Sequence, residues 1–401
     1  MISSLSDSSL SGSTRASSTR ASSTRASSTR SSDAPIRVLL VDDSPLALDL
    51  QKRMLATSPR IKVVATASHG REALQRMEET HPQVVCTDWK MPTMDGLELI
   101  AHVMENAPCP ILVVSTIANL EDESALLPLL SAGAIDVFPK PQATQPFEQT
   151  AREFVRKIEL LAGVFVFSRR ATSTSSSTVI EYSMSSEAAR ENNRIDCDAT
   201  ASQVRKPRNG NNGNAIQVVA IVASTGGPQV LQTVFSTLPP NFRVPILCVQ
   251  HISLGFLAGL VDWLDSSCRL RVKVMEDGET VIAGTIYFPM EGRHLEIDAR
   301  GRLSSLRGAS VDGHCPSVTT TFSSVARSYG ADALAVLLTG MGNDGARGLQ
   351  EIRAAGGATI AQDEASSVVF GMPRQAIALG AAERVLPAAA IADAICREVG
   401  V

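Results

Sequence analysis

The chain has 401 residues, 44% hydrophobic and 19% charged, with a formal net charge of −4. That length accommodates two or three domains, and the mild acidity argues against a general nucleic-acid binder. No apolar run reaches the roughly 18 residues needed to cross a bilayer, so direct membrane insertion is not expected. The seven cysteines (Cys86, Cys109, Cys197, Cys248, Cys268, Cys315 and Cys396) are odd in number and form no CxxC pair. They point to a reducing, cytoplasmic setting, with neither a disulfide framework nor a zinc site.

Residues 1–35 form a Ser/Arg-rich leader in which STRAS repeats from Ser13, with arginines at 15, 20, 25 and 30. The bias has some transit-peptide character, but a period of five builds no amphipathic helix. A disordered, low-complexity leader is expected. Over 36–162, five apolar strand candidates (IRVLLV, IKVVATA, VVCTD, ILVVST, AIDVFPK) alternate with helical stretches, the last at about 147–162. This is the (βα)5 pattern of an open parallel sheet. Residues 163–214 are expected to be a flexible linker, turning rich in Ser, Arg, Asn and Gly from about 168, with local helix near Ser185–Asn192.

Residues 215–401 return to apolar strands: IQVVAIVAS, VPILCVQ, RVKVME, ALAVLLTG and ATIAQ. They predict a second doubly wound, mostly parallel α/β domain. Within it, Thr280–Arg307 reads as an antiparallel excursion of short strands (TIYFPM, HLEID, RLSSL).

In the first domain Asp42 and Asp43 end the first strand, Asp88 the third and Ser115 the fourth, and Lys140 follows the fifth. The carboxyl ends of parallel strands share one edge, so these residues converge. Singly, Asp42 or Asp43 reads as a helix N-cap. Together the carboxylates suit Mg²⁺, with Asp88 as nucleophile toward a phosphoryl donor and Lys140 and Ser115 meeting the transferred group. The strings VLLVDDS, VVCTDWKMPTMDG, VVST and DVFPKP, over about 36–143, resemble the receiver domain of two-component response regulators. The resemblance implies that a histidine kinase phosphorylates Asp88, that Asp42 and Asp43 help hold Mg²⁺, and that Ser115 and Lys140 sense the phosphoryl group. Val137 stands where receivers often carry an aromatic switch residue, with Phe138 one place along.

In the second domain, Ser224 ends a buried strand just before Thr225-Gly226-Gly227, where a hydroxyl would meet the N–H groups of a helix start. Serine needs a base. Of the six histidines, His251 alone directly follows an apolar strand of this domain, whereas His294 and His314 sit in less regular regions. Asp344, in the Gly-rich loop TGMGNDG, would orient the imidazole. Taken singly, His251 reads as a satisfied structural residue and Asp344 as a helix cap.

VASTGGP, VQHIS, EGRHLEI, GHCPSV, LLTGMGNDGARG and QDEASSVVFGMPRQAI, over about 216–395, resemble the effector domain of the chemotaxis protein-glutamate methylesterases. The resemblance implies phosphorylation-regulated hydrolysis of glutamate γ-methyl esters on methyl-accepting chemoreceptors, often with glutamine deamidation. By motif, Ser224 is the nucleophile, His251 the base and Asp344 the orienting acid. The backbone N–H groups of Thr225 and Met341 are oxyanion donors, and no cofactor serves the esterase step. Three positions depart from the family pattern. Val222 replaces a usual glycine and is expected to crowd the Ser224 turn. Cys315 and Thr319 replace arginine and aspartate and are expected to alter substrate contacts. These departures motivate an alternative, a catalytically weak adaptor or phosphate sink.

Overall fold

The computed structural model describes residues 34–115, 126–141, 146–166, 182–184 and 215–401. Residues 1–33 of the expected leader, the expected helix at Ser185–Asn192 and Cys197 lie outside them. Pro35–Val401 is one compact unit.

The first sheet is built from β1 (Ile36–Val41), β2 (Ile61–Ala67), β3 (Val84–Thr87), β4 (Ile111–Ser115) and β5 (Asp136–Pro139). All pair in parallel in the order β2-β1-β3-β4-β5. The intervening helices are α1 (Pro45–Leu55), α2 (Gly70–Thr80), α3 (Gly96–Asn106) and α4 (Leu126–Ala132), and α5 (Phe147–Leu161) follows β5. Local signals set their starts. Ser44 caps α1, with Pro45 in its first turn, and Asp95 and Glu98 form a reciprocal capping box on α3. The strand order reverses between β1 and β3, so the residues that follow them share a crevice.

After α5 comes a short pair, β6 (Val164–Val166) antiparallel to β7 (Tyr182–Met184). Regular structure thus falls within the stretch expected to be linker.

The second sheet contains β8 (Val218–Ala223), β9 (Ile246–Gln250), β10 (Arg271–Val274), β11 (Thr285–Phe288), β14 (Ala333–Leu337), β15 (Ala358–Gln362) and β16 (Arg384–Leu386). Every pairing is parallel, in the order β10-β11-β9-β8-β14-β15-β16. Only β12 (His294–Ile297) and β13 (Leu303–Leu306) form the antiparallel excursion. TIYF was expected in that excursion but is β11, inside the main sheet. All four of its residues are buried, as suits a strand covered on both faces.

Helices α6 (Gly227–Thr237), α7 (Leu257–Ser267) and α11 (Ala388–Val399) cover one face of this sheet. Helices α8 (Val318–Tyr329), α9 (Ala346–Ala354) and α10 (Met372–Ala378) cover the other. Each fully buried aliphatic side chain contributes roughly 1.5–3 kcal/mol to this packing.

The two sheets share hydrophobic packing. Leu129 and Leu130 of α4 lie in one cluster with Leu231 of α6 and Leu260 of α7. Phe138, Phe154 and Ile158 of the N-terminal half pack in another with Val368, Val369 and Met341. Gln229 of α6 donates from Nε2 to the Ala134 carbonyl at 2.7 Å. Among the described residues, no helix is long and apolar enough to cross a membrane, and burial pushes the Cys86, Cys109 and Cys248 thiols up.

Val222 does not crowd the turn it precedes. It pairs in regular register with Leu337 and Val249, its carbonyl accepts the Leu338 N–H at 2.9 Å, and its side chain is wholly buried on the α8–α10 face. Val222→Ala is therefore expected to open a cavity and lower stability by about 2 kcal/mol. Urea unfolding checks this, and unchanged or increased stability would restore the crowding view.

Candidate active site

Ser224 sits one residue past β8, at the edge where the second sheet reverses direction between β8 and β14. Its N–H donates to the Thr339 carbonyl at 2.9 Å, and Gly227 N–H donates back to the Ser224 carbonyl at 2.8 Å. The turn needs Gly226, whose φ of +74° is left-handed and whose missing Cβ leaves room for Val368. Gly340 is required by close approach, since a Cβ there would lie 2.7 Å from Ser224 Cβ. The backbone N–H groups of Thr225 and Met341 donate to no other group among the described residues. They are free to meet a developing oxyanion beside Ser224.

His251 follows β9, with its N–H on the Ala223 carbonyl at 3.0 Å. Its Nε2 lies 3.0 Å from Asp344 Oδ2, and its Nδ1 is buried with no partner among the described residues. The carboxylate accepts, so Nε2 carries the proton and Nδ1 keeps the lone pair. Nδ1 is the atom available to take a proton. No hydrogen bond joins it to the Ser224 hydroxyl among the described residues, a bond that often tightens only in the reacting complex.

Asp344 is fully buried in the loop after β14. Besides His251, its oxygens accept from Ser317 Oγ at 3.0 Å, Val318 N–H at 2.8 Å and Thr319 N–H at 2.9 Å. These three donors form the capped N-terminus of α8, a natural carboxylate site. Burial works to raise the pKa of Asp344. The His251 ring and the Thr319 and Val318 amides outweigh it and hold the carboxyl well below the ordinary aspartate range.

Two further residues complete the geometry. Gln250, the last residue of β9, is buried and donates from Nε2 to the carbonyls of Ser224 (2.7 Å) and His251 (2.8 Å). Two carbonyl acceptors identify which end of the amide is nitrogen. His314 stacks on His251, ring centroids 4.0 Å apart and planes 5° from parallel. Neither was singled out from sequence. His314 lies in an irregular loop, and nothing in the spacing sets Gln250 apart from other strand-end residues.

Cys315 and Thr319 do not line the cavity beside Ser224, contrary to the expected substrate contacts. Cys315 Sγ meets the Gly292 carbonyl at 3.2 Å. Thr319 supports the acid loop: its hydroxyl accepts Gly345 N–H at 2.9 Å and donates to Asp312 Oδ2 at 3.2 Å.

The cavity is about 280 Å³. It is lined by Ser224, Thr225, His251, His314 and Met341 of the second half together with Asp136, Phe138, Arg156 and Lys157 of β5 and α5. Potential ligand atoms of His251, His314 and Asp344 lie within 4.8 Å of one another. Parallel rings cannot both direct in-plane lone pairs at one ion, and four donors already occupy the Asp344 oxygens, so the arrangement suits acid–base work better than metal binding.

At the edge of the first sheet, carboxylate oxygens of Asp42, Asp43 and Asp88 lie within 4.8 Å of one another. Lys140 Nζ bridges Asp42 Oδ2 (2.8 Å) and Asp88 Oδ2 (2.5 Å). Burial pushes the Asp42 carboxyl up despite Lys140. Burial also works to lower the Lys140 ammonium, but Asp42 and Asp88 together hold it above its ordinary value. Ser115 Oγ is buried without a partner among the described residues. Surplus buried negative charge with an exposed third carboxylate, Asp43, fits a hard divalent cation, and the orphaned hydroxyl fits an incoming anionic oxygen. Phe138, next to the expected switch position, is buried against Phe154 with ring centroids 5.0 Å apart.

Comparison with known proteins matches two families. A family model described as CheB methylesterase matches residues 219–395, and one described as response regulator receiver domain matches 38–152. Protein-glutamate methylesterase/protein-glutamine glutaminase 1 of Syntrophus aciditrophicus is 37% identical over 366 residues, covering 91% of this chain and 99% of the relative. Protein-glutamate methylesterase/protein-glutamine glutaminase 2 of Anaeromyxobacter dehalogenans is 42% identical over 356 residues, covering 88% and 94%. The solved catalytic domain of a Thermotoga maritima CheB methylesterase is 38% identical, covering 46% of this chain and 98% of that one, with a TM-score of 0.44.

Because Asp344 is held ionised, its contribution to stability is fully present above the ordinary aspartate value of 3.8 and is lost as pH falls through its lower folded value. Asp344→Asn, which leaves buried donors facing an amide, is expected to cost about 2 kcal/mol at neutral pH. Urea titrations of both proteins should show that gap narrowing only below the ordinary aspartate range; a gap that does not change with pH would contradict the assignment.

Proposed function

The chain belongs to the protein-glutamate methylesterase/protein-glutamine glutaminase family, and from that membership we propose that it hydrolyses glutamate γ-methyl esters, and deamidates glutamines, on methyl-accepting chemoreceptors. The observation that carries the catalytic reading is the polarised His251, with Nε2–H on a clamped carboxylate and a bare Nδ1 in the cavity with Ser224.

His251 Nδ1 takes the Ser224 proton as Oγ attacks the γ-carbonyl, and Asp344 stabilises the imidazolium. The N–H groups of Thr225 and Met341 hold the oxyanion, at about 3 kcal/mol per donor. His251 returns the proton to the leaving oxygen and methanol departs, or to the leaving nitrogen and ammonia departs when the substrate is glutamine. Water then repeats the sequence on the acyl-enzyme and releases the glutamate carboxylate.

Asp88 is the phosphoacceptor and a chemotaxis-type histidine kinase the donor. Mg²⁺ held by Asp42, Asp43 and Asp88 would supply neutralising charge during transfer. Lys140 and the unpaired Ser115 hydroxyl would then bind the phosphoryl oxygens. In the unphosphorylated state β5 and α5 cover the cleft, and phosphorylation releases them. The support is a single cavity that Phe138, Arg156 and Lys157 line together with Ser224.

We divide the chain into a leader (1–35), a receiver domain (36–162), a linker (163–214) and a catalytic domain (215–401), acting in the cytoplasm. With Val222 in a regular strand, the adaptor alternative loses its main motive.

Methanol release from methylated receptor membranes tests the chemistry. Ser224→Ala should reduce it by about 10⁴-fold or more, whereas equal release by both proteins would mean an adaptor. A small phosphodonor should raise the rate of the intact chain. That rise should disappear with Asp88→Asn or on chelation of Mg²⁺, and a fragment beginning at Ala215 should be active without a phosphodonor. A fragment no faster than the resting chain would dismiss the covering role of the receiver.

A further inference from the structure

We propose that His314 is a positioning residue for the general base, its ring stacking on His251 and holding the imidazole so that Nε2 stays on Asp344 while Nδ1 faces the nucleophile. The inference rests on His251 being that base.

The geometry supplies the need. His251 has one side-chain hydrogen bond, from Nε2, and its Nδ1 is orphaned. A single bond at one ring corner leaves the imidazole free to pivot, which would swing the lone pair away from Ser224. A flat surface on the ring face removes that freedom, and His314 provides one at 4.0 Å and 5°.

His314 is itself anchored. Its Nδ1 lies 3.0 Å from the Asp312 carbonyl, which can only accept, so Nδ1 carries the proton and the neutral ring has a bare Nε2. Asp312 is held in turn by Arg347 at 2.9 Å and by the Thr319 hydroxyl at 3.2 Å. The chain His251–His314–Asp312–Thr319 thus returns to the loop that carries Asp344, since Thr319 also holds Gly345.

Stacking serves the reaction only while His314 is neutral. A neutral π-face tolerates the imidazolium that forms on His251, whereas a second cation at 4 Å opposes it. The groups that act on the ring are His251, Asp344, the Asp312 carbonyl and, from α5, Arg156. Burial first, then His251, push the pKa of His314 below its ordinary value, against the upward pull of Asp344 and the Asp312 carbonyl; Arg156 adds to the downward push. A proton on His314 would set a second cation against the imidazolium that forms on His251. A variant whose stacking ring cannot take a proton should therefore keep more of its rate than wild type as the pH is lowered.

The test compares full-length wild type, His314→Ala and His314→Phe, each saturated with phosphodonor and Mg²⁺, by methanol release from methylated receptor membranes. His314→Ala should lower kcat at least tenfold with KM within twofold. His314→Phe keeps a flat ring and should recover to within about threefold of wild type at neutral pH, with its rate relative to wild type rising as the pH is lowered. Equal kcat for His314→Ala and wild type, failure of phenylalanine to rescue, or a ratio of His314→Phe to wild type that does not change with pH would each overturn the proposal. If the alanine variant unfolds, the pH dependence of His314→Phe against wild type decides alone. Ser224→Ala and His251→Ala run alongside. If they remain active the triad assignment itself has failed, and if they are inactive while His314→Ala is normal only the positioning role has.

Discussion

A buried carboxylate is tolerated only when its lone pairs are filled, and Asp344 meets that condition by sitting on the N-terminus of α8. Two backbone amides and the Ser317 hydroxyl fill three sites and His251 takes the fourth. Because the first three come from one rigid helix start, the carboxylate cannot turn away from the imidazole. The tautomer of His251 follows, and with it the identity of the basic atom. The same arrangement explains why α8 must lie where it does, covering β8 and β14 on one face and directing its first turn at their carboxyl ends. Val318 and Phe322, wholly buried on that face, keep it there.

Strand β5 links the two halves of the molecule. Lys140, immediately beyond its end, bonds Asp42 and Asp88, while Asp136 and Phe138 within it line the cavity beside Ser224. Met341, one of the proposed oxyanion donors, packs against the cluster that contains Phe138 and Phe154. A rearrangement at Lys140 therefore has only a few residues to cross before it meets the catalytic edge. This short path is the structural basis for the proposed control of Ser224 from Asp88.

Much of the site was legible without coordinates, because parallel α/β sheets place strand ends on one edge. Asp42, Asp43, Asp88, Ser115 and Lys140 could be grouped on that rule alone, as could Ser224, His251 and Asp344. The Gly-Gly after Ser224 signalled the tight turn that Gly226 makes. Where the rule does not apply, reading failed. TIYF looked like part of an antiparallel excursion because four residues carry no sign of parallel or antiparallel pairing, and β16 was too short to register. Val222 was feared as a crowding residue. Its side chain points into the core while the strand still runs, two residues before Ser224, a distinction set by the pleat.

Residue types and their order determined the two parallel sheets, the acidic cluster and the placing of Ser224, His251 and Asp344 at strand ends, because strand periodicity and strand-end chemistry are local properties. Only the tertiary structure decided which ring nitrogen of His251 is left bare, that Gln250 holds its backbone and His314 stacks on its ring, and that β5 and α5 line the cavity with Ser224. Each of these depends on contacts between segments tens to over a hundred residues apart, where hydrogen-bond geometry and packing, and no local preference, choose the partner.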